Sequence, residues 1–153
     1  MSQGSPRGGE PPTLRLQKMY VKDLSFENPN APGVYRERAQ PRAEVNLAVG
    51  HRQIEGQSWE VTVRLEATLT ADEAVVFIVE IEHAGVFVVQ GVPADHLPRV
   101  LNVDCPTLLF PFTRQIVCQA VVDGGFAPFL LEPVNFLALY QNARKDAQSP
   151  PAH

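Results

Sequence analysis

The chain has 153 residues, 44% hydrophobic and 20% charged, which is enough for one soluble domain with a real core. A net charge of −4 and no Lys/Arg cluster argue against a nucleic-acid binder that tracks phosphates, yet permit a basic partner. No apolar run approaches a membrane span, MSQGSPRGGEPP lacks a signal-peptide core, and Cys105 and Cys118 make no disulfide framework, so a reducing cytoplasm is expected.

Residues 1–12 are mostly Gly, Pro, Ser and charge and read as a disordered arm. Residues 145–153 read as a flexible tail, and 13–144 as one compact unit without internal repeats. Leu14 to Val21 alternates roughly and predicts a first strand. Ser25 to Arg42 holds Pro29, Pro32 and Pro41 and predicts an ordered crossover rather than a hairpin. Glu44 to Val49 predicts a second strand, with Val45, Leu47 and Val49 on one face. Trp59 to Leu69 alternates over eleven residues, the mark of a strand with one buried face. A fourth strand, Ala74 to Glu82, puts Val75, Phe77, Val79 and Ile81 on one face. Its other face begins with Val76 and Ile78 and ends with Glu80 and Glu82. Short links at Gly56 and at residues 70–73 imply antiparallel neighbours.

Helices follow. A short one is expected over Ala94 to Val103 and a longer one from Pro106 to about Val122, with Pro111 kinking it or marking its true start. Leu108, Leu109, Phe110, Phe112, Ile116, Val117 and Val121 go nearly all round that cylinder, so a second subunit is expected on the side the sheet cannot cover. A last helix runs from Val134 to about Arg144. Strands followed by helices give an α+β fold. The segment GGFAPFLLEPVNFLALY, Gly124 to Tyr140, opens like a loop yet carries Phe126, Phe129, Leu130 and Leu131. Either it lies across a core or it lines an apolar binding surface.

Signals of catalysis are poor. There is no phosphate loop, GxGxxG, HExxH or GxSxG motif. His96 with Cys105 could form a thiol–imidazole pair, but a buried apolar Cys and a surface His fit better. Cys105 and Cys118 lie too far apart for a zinc knuckle, so no metal or cofactor is implied. Glu80 and Glu82 fit a solvated or partner-facing edge better than a catalytic carboxylate pair.

Four blocks, YVKDLSFENPNAP (Tyr20 to Pro32), HAGVF (His83 to Phe87), CPTLLFPFTR (Cys105 to Arg114) and Gly124 to Tyr140, resemble the SecB protein-export chaperones of Gram-negative bacteria, in order over residues 13 to about 144. The resemblance implies a four-stranded antiparallel sheet with a crossover between strands 1 and 2, followed by helices packed on one face. It also implies a cytosolic homotetramer, a dimer of dimers without ATPase activity, that holds precursor proteins unfolded and delivers them to the translocase motor SecA. Neither nucleic acid nor stable membrane insertion belongs to that picture. Carried over by residue, it implies a SecA-binding surface at Asp23, Glu27, Ile78 and Glu80. It implies a client groove at Phe26, Tyr35, Val45, Leu47, Phe126, Phe129, Leu131, Phe136 and Tyr140. Val79, Ile81 and His83, with Phe112 and Ile116 on the helix, are implied at the oligomer interface. Ala127 stands where many relatives have a second Pro, which should soften the groove. Two other readings compete: a SecB-like chaperone dedicated to one antitoxin, and a small-ligand or thiol-dependent enzyme relying on Cys105.

Overall fold

The computed structural model describes residues 11–36 and 39–148, so residues 1–10 of the expected arm and 149–153 of the tail lie outside it. Four antiparallel strands, β1 (Thr13–Glu27), β2 (Pro41–Glu55), β3 (Ser58–Ala71) and β4 (Ala74–Gln90), form one sheet in the order β1-β4-β3-β2. Because β1 pairs with β4 and not with β2, the proline-bearing segment between β1 and β2 is the expected crossover. A 3₁₀ turn, Gly33–Arg36, lies within it. The fold is the α+β arrangement of sheet and packed helices read from the sequence.

All four strands outrun their sequence signals, β4 most of all, because HAGVF continues the ladder. Gly85 belongs there because a Cβ would lie 2.9 Å from Leu16. The alternation in β3 is realised with Val61, Val63, Leu65 and Ala67 buried on the helix side. Glu60, on the other face, is also buried, at 4% exposure. Its carboxylate accepts hydrogen bonds from Tyr20, Lys22 (3.2 Å) and Arg52 (3.0 Å), which compensate the lost water. One expected face needs correction. The ladder skips Val76, pairing Leu69 with Phe77 but Thr70 with Val75. This bulge puts Val75 on the face of Ile78 and leaves Val76 buried beside Phe77.

The helical part is more continuous than expected. A single turn, α1 (Leu97–Arg99), passes through a π-helical stretch, Val100–Asp104, into α2 (Cys105–Asp123). Pro106 occupies the first turn of α2, and the helix runs through Pro111 rather than starting there. Residues 94–96 precede the helical run. After an irregular segment, α3 (Phe136–Gln148) starts later and ends later than the sequence suggested.

Leu109, Phe110, Thr113, Val117 and Val121 seat α2 on the sheet over Val63, Phe77, Val79 and Ile81. Phe87, Val61, Leu101 and Cys105 form a second cluster at the other end. His83, 1% exposed, points into the packing and meets the Thr113 hydroxyl at 2.7 Å. That hydroxyl reaches the Leu109 carbonyl at 3.3 Å, so the imidazole Nδ1–H is the donor to Thr113. Burial pushes the His83 pKa down and keeps the ring neutral.

Candidate functional site: an apolar groove and an acidic sheet face

The irregular segment before α3 follows period two where it crosses the core. Phe129 and Leu131 turn inward, while Leu130 stands 75% exposed. Extended backbone delivers this pattern, and the Arg114 guanidinium, donating to the Leu131 carbonyl at 3.4 Å, ties the segment to α2. Between it and β2 lies a cavity of about 410 Å³. Val45 and Leu47 form one wall, Phe129, Leu130 and Leu131 the other, and Phe110 lies between them.

Beside the cavity sits an aromatic layer. Phe126 packs 5.3 Å from Tyr35, 5.3 Å from Phe77 and 6.3 Å from Phe26, and Phe77 meets Phe129 edge-on at 5.6 Å. Phe26 faces a second apolar cavity of about 430 Å³, lined with Leu24, Ile116, Ala120 and Gly124. Of the expected groove residues, Val45, Leu47, Phe129 and Leu131 line one cavity, and Phe26, Tyr35 and Phe126 form the layer between the two. Phe136 is a core residue, packed 5.7 Å from Phe110 and 3% exposed. Tyr140 lies a turn further along α3, with the Arg144 guanidinium 5.5 Å from its ring centre. Leu130 was missed as a site residue, although its place between Phe129 and Leu131 in an extended stretch was a usable signal.

The opposite face of the sheet is acidic at one end. Register sets Glu27 opposite Ile78, Ser25 opposite Glu80 and Asp23 opposite Glu82, so the four residues implied for SecA binding share one face. Across the next ladder Glu80 faces Glu66, and Glu82 faces Arg64. Arg64 pairs with Glu82 at 3.3 Å. The Glu80 pKa is pushed up, chiefly by a hydrogen bond and like-charge repulsion with Glu66, and further by Glu27 and Asp23. Glu66 was missed, because register is invisible until the strands are paired. A shallow concavity of about 400 Å³ between Asp23, Asn46, Arg64, Glu66 and Glu80 marks the spot.

The residues expected at the oligomer interface divide in two. Val79, Ile81 and His83 are already covered by their own chain. Phe112 remains 43% exposed on α2, where Leu108 and Val122 are also exposed and Ile116 is half-buried. The imagined thiol–imidazole pair does not form. Cys105 is fully buried with its pKa pushed up to about 12, chiefly by desolvation, while His96 is exposed beside Asp95. Among the described residues no helix is long and apolar enough to cross a membrane.

Residues 8–147 match the family model described as "Preprotein translocase subunit SecB". The chain is 49% identical to the Protein-export protein SecB of Desulfotalea psychrophila, with all of both chains covered. It is 39% identical to the protein of that name from Magnetococcus marinus, over 89% of this chain and 87% of that one. Among solved structures, a SecB-like chaperone of Mycobacterium tuberculosis, in complex with a ChAD peptide from an antitoxin, matches with a TM-score of 0.62. That match covers 79% of this chain and 90% of the other at 15% identity, and so concerns the fold alone.

Proposed function

This chain belongs to the SecB family, and from that premise we infer how a protein-export chaperone of this build works. It binds client polypeptide, and holding is passive. Exposed apolar segments of an unfolded precursor settle against the groove, each contributing about 25 cal/mol per Å² of apolar area removed from water. A folded client offers no continuous extended apolar segment, so selection is for the unfolded state, which mass action then keeps unfolded. The observation that carries this reading is the apolar cavity bounded by Val45, Leu47, Phe129 and the outward-standing Leu130.

The acidic face is the docking surface for the basic, zinc-binding tail of SecA, with Asp23, Glu27 and Glu80 supplying charge and Ile78 an apolar contact. Four subunits assemble in the cytoplasm as a dimer of dimers, with the outer side of α2 covered by a second copy. One long client then occupies several grooves, which raises avidity by roughly 10²–10⁴ without a new contact. A dedicated antitoxin chaperone is not favoured, since the 39–49% identical relatives cited above are export proteins.

The test is binding of a chemically unfolded secretory precursor and of its native form, with complex mass read by light scattering. Capture of the unfolded form alone by a four-subunit particle is expected, and capture of neither would refute holding. Glu80→Lys should weaken SecA binding at least tenfold while leaving client capture unchanged. Equal loss of both would refute the assignment of two separate surfaces.

A further inference from the structure

A small hydrogen-bonded knot ties the crossover to the segment that follows α2. The Tyr35 hydroxyl donates to the Gly124 carbonyl at 2.8 Å. The Asn28 side-chain amide donates to the Tyr35 oxygen at 2.8 Å and to the same carbonyl at 3.2 Å. One backbone oxygen at the end of α2 thus holds two donors from a segment 89 to 96 positions away in sequence. The chain is shaped for this approach. A Cβ at Gly124 would come within 2.3 Å of the Phe26 ring. Gly125 has φ +93°, and a Cβ there would lie 3.0 Å from the Tyr35 hydroxyl. Beneath the knot lies the aromatic layer, with Tyr35 covering Phe126 and Phe126 covering Phe77.

The knot is open to competition from water. Tyr35 is 48% exposed, so water competes for its hydroxyl. The Asn28 Oδ1 is buried and has no hydrogen-bond partner among the described residues. Turning the amide over would not help, because the Nδ2 atom is the one aimed at two acceptors. Opening the knot returns that oxygen to water and recovers part of what the lost bonds supplied.

We propose that Asn28, Tyr35 and the Gly124 carbonyl form a latch that pins residues 124–135 against the crossover and so sets the rate at which clients enter the groove. Asn28 and the Tyr35 hydroxyl play a positioning role, acting through the loop rather than through the client, while the Tyr35 ring stays in the aromatic layer. The proposal rests on the client-groove reading above.

Tyr35→Phe keeps the ring over Phe126 and removes only the hydroxyl. In the free protein, amide hydrogen exchange over residues 125–132 should speed up about tenfold while β3 keeps its protection. Association of reduced, carboxymethylated α-lactalbumin, a permanently unfolded probe, should accelerate several-fold, with a smaller change in dissociation. Asn28→Ala should do the same. Unchanged loop exchange in both variants would overturn the latch. Faster loop exchange with unchanged association would overturn its role in entry. If the unsubstituted protein bound no unfolded probe, holding itself would fail along with the entry role. Loop exchange would then still report whether the latch pins the loop.

Discussion

Glu80 and Glu66 face each other across the β3–β4 ladder, and a hydrogen bond between them, with their mutual repulsion, pushes the Glu80 pKa up. A carboxyl with a raised pKa loses its charge sooner as pH falls, so affinity for a basic SecA-tail peptide should fade on mild acidification. Glu66→Gln lowers the Glu80 pKa toward the usual carboxylate range. It should cost some affinity at neutral pH, through one lost charge, yet flatten the decline that sets in above the ordinary carboxylate range. Titration of peptide binding by fluorescence anisotropy would show this, and a decline of unchanged steepness would mean the pair shares no proton. His83 acts on stability instead. Its folded pKa is depressed, so the unfolded chain takes up a proton first. Stability is complete above the ordinary imidazole value of 6.5 and is lost as pH drops below it. The Glu60 pKa is lowered, chiefly by the Tyr20 hydrogen bond, and its contribution is lost only at more acid pH, below the ordinary 4.5. Urea midpoints measured from pH 6.5 downward, and still above 4.5, should fall as pH drops in the parent protein. In His83→Gln they should start lower and lose that slope. None of these pairings is visible in a linear sequence. Glu60 even reads there as a solvated position, because nothing reveals that Tyr20, Lys22 and Arg52 converge on it.

At the level of elements, legibility follows periodicity. The β3 alternation was unambiguous because one face is covered throughout. β4 was legible only to Glu82, because His83, Ala84 and Gly85 break the apolar rhythm for reasons that lie elsewhere: a threonine on α2 and the close approach of β1. The Val76 bulge was illegible for a similar reason, since a skipped residue shows only once a partner strand fixes the count. The apolar loop was legible as an anomaly, but not which of its side chains face the cavity. Phe136 reads like a groove wall and proves to be core. The β3–β4 turn shows local strain that can be relieved. Asp72 and Glu73 both have positive φ, at 51° and 66°, as a two-residue hairpin turn of this hand demands. Glu73→Gly should stabilise the fold by about 0.5–1 kcal/mol, read from denaturant midpoints. A loss of stability would mean that the Glu73 side chain contributes more than its backbone costs.

At the scale of the whole molecule, α2 is apolar on both sides but covered by its own chain on only one. Thr113, Val117 and Val121 hold the sheet, and Leu108, Phe112 and Val122 remain uncovered. Phe112→Glu places a charge in that uncovered stripe and, in the dimer of dimers proposed above, should reduce the four-subunit particle to two, by light scattering, while leaving the helical content unchanged. A particle of unaltered mass would move the interface elsewhere. The four-stranded sheet also acts as a septum. Val45 and Leu47 border the cavity on one side, and Glu66 and Glu80 stand on the other. On the two-surface reading proposed above, cargo and motor need never compete for the same atoms. Docking of the motor would add to a loaded particle instead of evicting its cargo, so the species expected at the moment of transfer is ternary. Handover would then be a matter of geometry and timing, with the motor arriving while the cargo is aboard and having first access to whichever stretch next dissociates. A slow-folding precursor would be passed on segment by segment, with no interval in which it is wholly free.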